Sequence, residues 1–228
     1  MTDQRTGINE LKNVAQFIAH KLEEMILTGA LAPGQHLVQT EIADQFGVSR
    51  LPVRDALKIL EKRELAVDQP RRGMIVRPLN LREVRDLFEL RRLLESHAFA
   101  RSAKSLDETD LAEADAIIKE QESREMDEFL VLLELDEKLH IKLCSKCGNE
   151  EIKAQLARLW NRIRVLRSLE RDREDWNKNS AKSHRAILAA IRARDFKKAR
   201  ALLEEGIDGA EEKIATSVAE LAERSAAA

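Results

Sequence analysis

The chain has 228 residues, 43% of them hydrophobic and 35% charged, and its 39 lysines and arginines nearly balance 41 aspartates and glutamates. That length holds one large or two modest domains with real cores, and the near-neutral total excludes a partner recognised by bulk charge alone. Two cysteines cannot build a disulfide scaffold, no apolar run reaches the length of a membrane span, and the polar opening MTDQRTGINE lacks a secretory core. The expectation is a cytoplasmic chain with no membrane association. Four prolines, eight glycines and no tyrosine suit a mainly α fold with few strands.

In chain order, the first predicted helix runs from about Asn9 to Thr28, with Ala15, Ile18, Leu22 and Ile26 at helical spacing and Gly29 ending it. LAPGQHL then reads as a loop. Thr40 to Lys62 reads as two short helices joined at Gly47-Val48, with Ser49 placed to cap the second. In that second helix Val53, Ala56, Leu57 and Leu60 share an apolar face. Arg50, Arg54 and Lys58, spaced i, i+4, i+8, form a cationic edge beside it. Pro52 falls in the first turn, where a missing N–H breaks no intrahelical bond.

Two strand-like runs follow, Leu65 to Asp68 and Met74 to Arg77, separated by QPRRG with Gly73 as the turn. Three helices and a basic hairpin describe a winged helix-turn-helix over residues 1–78, whose second motif helix enters the DNA major groove. From Arg50 to Arg77 there are eight basic and four acidic side chains, a concentrated positive surface on a near-neutral chain. The candidate DNA contacts are Ser49, Arg50, Arg54 and Lys58 on the helix and Arg71, Arg72 and Gly73 on the wing.

SRLPVRDALKILE, the preceding TEIADQFGV, the LAPGQHL approach and PRRGMIV together resemble the GntR family of bacterial transcription regulators. The resemblance covers the first 78 residues. It implies that Arg50 and Arg54 meet operator bases and phosphates and that Gly73 lies at the wing tip against the minor groove.

From 79 to 228 only helical periodicity is visible, with helices near 81–103, 107–123, 125–146, 149–171, 179–193 and 195–222. Leu87, Leu90, Leu94 and Ala98 pattern the first of these, and the whole reads as an antiparallel bundle. The run ERDRED, Glu170 to Asp175, reads as a solvated helix end, and the terminal ERSAAA as a frayed one. Asp136 and His140 stand four apart on one helix, and His184 follows on another. By spacing alone this is either a surface pair or part of a cation site between helices. Cys144 and Cys147, in CSKC, lack a second ligand pair or a preceding strand, which sets aside a redox or zinc reading, and Cys144 reads as a small apolar residue near a helix end.

Residues 81–215 are similar to the FCD ligand-binding domain of the FadR subfamily, in its six-helix, VanR-like form. ELRRLLE at Glu89 to Glu95, the Asp136 to His140 spacing followed by CGN, and SHRAILAAIRARDFKKA from Ser183 carry the resemblance. It implies a divalent metal, Zn, Ni or Mn, on Asp136, His140 and His184, with a small organic acid effector beside it. The pattern's third histidine is replaced here by Gly206, which leaves at most three protein ligands from this set, with water, effector or Glu205 completing the shell. It also implies that Arg91 points into the effector cavity. A guanidinium there either pairs two-pronged with a carboxylate effector or with Glu95 one turn on. Arg162, with Asn161 and Arg164, is a further candidate lining residue.

The reading that unites these features is a sequence-specific transcription regulator, expected to be a repressor, acting as a homodimer on a palindromic operator. One recognition helix reads too few base pairs to specify a site alone. Two other readings stay open on the residues themselves: a metal-dependent hydrolase built on Asp136, His140 and His184, and an architectural DNA binder without an effector.

Overall fold

The computed structural model describes residues 3–78, 80–125, 128–168 and 173–227. The chain divides into two compact units, 1–79 and 80–228, and Leu79 lies outside the described residues.

The first unit runs α1 (Asp3–Leu27), α2 (Gln39–Phe46), α3 (Arg50–Lys62), β1 (Ala66–Gln69) and β2 (Gly73–Val76). Its core is Ile18 and Leu22 of α1 against Val53, Leu57 and Leu60 of α3, all at most 1% exposed. Gly47 turns the chain between α2 and α3 at φ 64°, a left-handed conformation that suits glycine. The α1 helix starts at Asp3 rather than Asn9.

Two expectations are corrected in this unit. LAPGQHL is more than a loop: the Leu37 N–H donates to Met74 O at 2.8 Å and the Val76 N–H to Gln35 O at 2.8 Å, so the segment lies along β2 as a third, short extended stretch. The hairpin turn is not made at Gly73 either. The Arg72 N–H donates to Gln69 O at 2.9 Å, which closes a four-residue turn with Pro70 and Arg71 at its centre. Arg71 carries a φ of 69° and Gly73 opens β2 at φ 82°. Proline followed by a positive-φ residue is the pattern of a type II turn, with arginine here in the glycine position.

Among the described residues the second unit has only helices: α4 (Leu81–Ser102), α5 (Glu108–Ser123), α6 (Phe129–Leu143), α7 (Glu150–Arg167), α8 (Arg173–Arg192) and α9 (Phe196–Ala227). Among the described residues four of these helices start at side-chain caps, α9 at Asp195, which accepts from the Lys198 N–H at 3.0 Å. Asn80 accepts from the Glu83 N–H at 2.8 Å, Asn149 from the Ile152 N–H at 3.0 Å, and Asp107 and Asp110 cap each other reciprocally. The helix packings close a ring, α4 on α9, α9 on α8, α8 on α5, α5 on α6, α6 on α7 and α7 back on α4. The centre of that ring is where every helix can deliver a side chain.

The predicted boundaries hold to within a few residues, with differences that have causes. Helix α8 begins at Arg173 rather than Asn179, because Trp176 packs edge-on against Phe129 at 5.5 Å and pins the polar first turns. Helix α9 stays helical through Ala227 instead of fraying at ERSAAA. Met126 and Asp127, and Leu169 to Asp172 with the start of the charged run, lie outside the described residues. The buried stripe of α4 includes Val84, Leu87, Phe88, Arg91, Glu95, Ala98 and Phe99, which keeps Leu87 and Ala98 of the expected series but not Leu90, 44% exposed, or the half-buried Leu94. No described helix is long and apolar enough to cross a membrane.

Candidate functional site

Two surfaces carry chemistry. On the first unit, α3 buries Val53, Ala56, Leu57 and Leu60 and leaves Arg50, Arg54 and Lys58 in solvent. Arg54 has only a loose ion pair with its neighbour Asp55, at 3.8 Å with both side chains half exposed. Such a pair holds little in place. Arg71, Arg72 and Gly73 are exposed on the wing. Ser49 takes the N-cap backbone conformation, but its hydroxyl makes no capping hydrogen bond. Of the two helical N–H groups that an N-cap side chain seeks, the second and the third, the third is missing here because that position is Pro52.

On the second unit, Asp136 and His140 of α6 and His184 of α8 meet at the ring's centre, each at most 6% exposed. One donor atom from each lies within 4.8 Å of the others. His184 Nε2 is 3.3 Å from His140 Nε2 and 3.5 Å from Asp136 Oδ1, and His140 Nε2 is 4.0 Å from Asp136 Oδ1. The outer ring nitrogens are held from behind. His140 Nδ1 bonds Glu95 Oε1 of α4, whose other oxygen accepts from Arg91 Nε at 2.9 Å. His184 Nδ1 is 3.4 Å from Gln121 Oε1 of α5, while the Gln121 amide N–H donates to Asn177 Oδ1 at 3.1 Å. Ser180 donates to Asp136 Oδ1 at 3.0 Å, and Arg167 Nη2 of α7 stands 3.7 Å from Asp136 Oδ2.

Protonation follows from these partners. Burial works to raise the Glu95 carboxyl, but Arg91 and His140 overcome it and hold the group down to about 2. For Asp136, burial is likewise outweighed by Arg167 and the two imidazoles, leaving it well below the ordinary carboxylate range. Burial lowers His184 to about 3 despite the pull of Asp136, so its ring is neutral at ordinary pH. With Nδ1–H directed at Gln121, its Nε2 presents a lone pair to the cluster. An ionised Glu95 only accepts, so His140 also donates from Nδ1, and Nε2 is the ring atom it turns to the cluster.

Lone pairs converging with a carboxylate oxygen are the donor set of a cation site. Metal bonds of about 2.1 Å at tetrahedral or octahedral angles separate neighbouring ligands by roughly 2.9–3.5 Å. Two of the three separations fall there, and the third needs about half an ångström of closure. Glu95 and Gln121 then serve as the partners that orient ligating imidazoles. One carboxylate and two imidazoles are borderline ligands that suit zinc, nickel or manganese and do not choose among them. Arg91 Nη2, 3.5 Å from His140 Nε2, is long for a hydrogen bond.

A cavity of about 460 Å³ opens from this cluster between α8 and α9, with His140, His184, Arg167, Ser180, Gly206 and Lys213 in its wall. A Cβ at Gly206 would meet nothing closer than Ser183 Oγ at 3.8 Å, so the position leaves room in the wall that the histidines also line. Glu205, the other residue considered for the shell, also lines this cavity.

The predicted effector residues are not in that wall. Arg91 is fully buried, bonded to Glu95 and stacked on Trp160 at 4.3 Å, so the internal ion pair is the alternative realised. Arg162 is directed elsewhere, pairing with Glu83 beside a separate depression lined by Asn80 and Leu87. Rotation along α7 explains the miss. Trp160 and Ile163 are buried, Arg167 continues their stripe, and Arg162 lies off it. A charged residue on a buried stripe was the available signal for Arg167, and likewise for Glu95. Cys144 and Cys147 are both buried, and burial pushes the Cys144 thiol well up, in keeping with an apolar role.

Comparison with known proteins gives these surfaces a context. Residues 14–76 match the family described as bacterial regulatory proteins, gntR family, and residues 86–209 match the FCD domain. The chain is 26% identical over 183 residues to the HTH-type transcriptional regulator YdhC of Bacillus subtilis, covering 79% of this chain and 82% of that one. It is 30% identical over 139 residues to the HTH-type transcriptional repressor RspR of Escherichia coli, covering 59% and 60%. Among solved structures, a GntR transcriptional regulator from Rhodococcus sp. RHA1 superposes with a TM-score of 0.71 at 24% identity, over 88% of this chain and 96% of that one.

Proposed function

Because this chain is a DNA-binding transcription regulator that belongs to the gntR family and carries its FCD domain, we propose that it is a homodimeric repressor whose hold on a palindromic operator is set by a small organic acid. The observation that carries this reading is the cavity beside Asp136, His140 and His184, with Arg167 in its wall. At the centre, Glu95 and Asp136 are offset by Arg91 and Arg167. A divalent cation on the three ligands adds positive charge to a buried place, and an anionic ligand in the cavity offsets it. The cation, when bound, supplies a coordination position for a carboxylate oxygen. Arg167 and Lys213 add charge to the same wall, and Gly206 leaves it roomy.

Repression is supported by the name of the repressor RspR among the relatives. Dimerisation is supported by the short reach of one recognition helix and by Leu90 and Leu93, which leave 44% and 64% of their surface exposed along α4. Arg50, Arg54 and Lys58 are assigned to the major groove, and Arg71, Arg72 and Gly73 to the backbone or minor groove. An acid alters operator affinity only to the extent that it binds one conformation better than another. The matched relatives and structures are regulators rather than enzymes, which sets aside the hydrolase.

Elemental analysis of purified protein, joined to a thermal-shift screen of small carboxylic acids, tests the pocket. Stoichiometric metal lost in His184→Ala, with at least one stabilising acid, is the expected result. Unchanged metal content in His184→Ala removes this residue from the site. No stabilisation by any acid at millimolar concentration removes the acid.

A further inference from the structure

The recognition helix carries one side chain that neither its packing nor its charge accounts for. Leu51 is 46% exposed, whereas Val53, Leu57 and Leu60 of the same helix are at most 1% exposed. At about 100° of rotation per residue, Arg54 lies about 40°, Lys58 about 80° and Leu51 about 100° around the axis from Arg50. The leucine therefore stands on the cationic arc, not on the buried face. It is also in the first turn of α3, the end of a recognition helix that reaches base edges.

We propose that Leu51 reads a thymine, packing on the C5-methyl group of one thymine in each half of the operator. This rests on the assignment of α3 to the major groove and adds a specificity residue to it. A protein partner covering Leu51 would also have to cover the exposed Arg50, Arg54 and Lys58, at the cost of desolvating three cations. Duplex DNA meets those cations with phosphates and acceptor edges, and the apolar group it displays in the major groove is the thymine methyl. Arginine reads guanine through paired hydrogen bonds, so the neighbouring Arg50 and Arg54 cannot make this distinction. An aliphatic side chain can.

The test uses the full-length protein to select an operator from a random duplex library, then replaces each thymine of the enriched motif singly with deoxyuridine. That change deletes the methyl and keeps every hydrogen-bonding group. Wild type should lose about fourfold in affinity at one thymine per half-site, the worth of one buried methylene, ~0.8 kcal/mol. Leu51→Ala should bind the unmodified operator correspondingly less well and be indifferent to deoxyuridine at that position only. An enriched motif that tolerates deoxyuridine everywhere overturns the leucine's role and leaves the groove assignment standing. So does a Leu51→Ala protein with wild-type sensitivity, since another residue then reads the methyl. A selection that enriches no motif overturns both.

Discussion

Glu95→Gln isolates what the buried ion pair on α4 contributes. Glu95 and Arg91 are each about 1% exposed and joined at 2.9 Å. A carboxyl that titrates at 4.5 in an ordinary setting and at about 2 in the fold carries about 3 kcal/mol of stability at neutral pH. Removing one partner of a buried pair typically costs about 3–5 kcal/mol, because the other charge stays behind. The two figures agree, so Glu95→Gln should lower the unfolding free energy of the second unit by roughly 3–4 kcal/mol. Urea unfolding followed by tryptophan fluorescence measures this unit alone, since Trp160 and Trp176 are the chain's tryptophans and both lie in it. Arg91→Met added to Glu95→Gln should recover at least half of the loss, as the stranded guanidinium is gone. The sign in acid is fixed: the contribution is present above 4.5 and disappears as pH falls from there toward 2, and Glu95→Gln should flatten that dependence. A cost under about 1 kcal/mol, or single costs that simply add in the double variant, would refute the reasoning.

Three further outcomes are expected. Arg54→Ala should lose about 1–3 kcal/mol of discrimination at one base pair, measured by competition between operator and random DNA; equal losses on both would contradict a base contact. Arg72→Ala should weaken binding to any duplex and shallow its salt dependence by about one unit of slope; an unchanged slope would take the wing off the backbone. Gly206→His should raise metal affinity by at least about tenfold, ~1.4 kcal/mol, as a fourth ligand enters the vacant space, while Gly206→Ala adds only helix stability. Calorimetric titration with zinc separates the two, and wild-type affinity in Gly206→His would place the ion elsewhere.

Much of the fold was legible because period and punctuation agree with it. Gly47, the α3 stripe and the Pro70 to Gly73 stretch each leave a local mark, and so do Asn80, Asp107 and Asn149 at helix starts. The reading went astray where tertiary contacts override local pattern. The leucines of α4 spell a stripe that is partly outside, because the true one includes Arg91 and Glu95, which are buried only as partners. Ser49 looks like a cap until Pro52 is counted as a missing N–H. Arg162, with Asn161 and Arg164, is the candidate on this helix and Arg167 goes unread, because spacing within a cluster of arginines does not reveal which one follows the buried face. The pairing of Leu37 with Met74 has no sequence signal of its own.

Helix α4 begins three residues after Pro78 and runs to Ser102 without a glycine or proline in its span. Glu95, which steadies His140 from behind, sits on that same rod, about 21 Å along its axis from Leu81. A helix without such breaks behaves as one rod, so the carboxylate that orients His140 and the turn that opens the second unit belong to a single element.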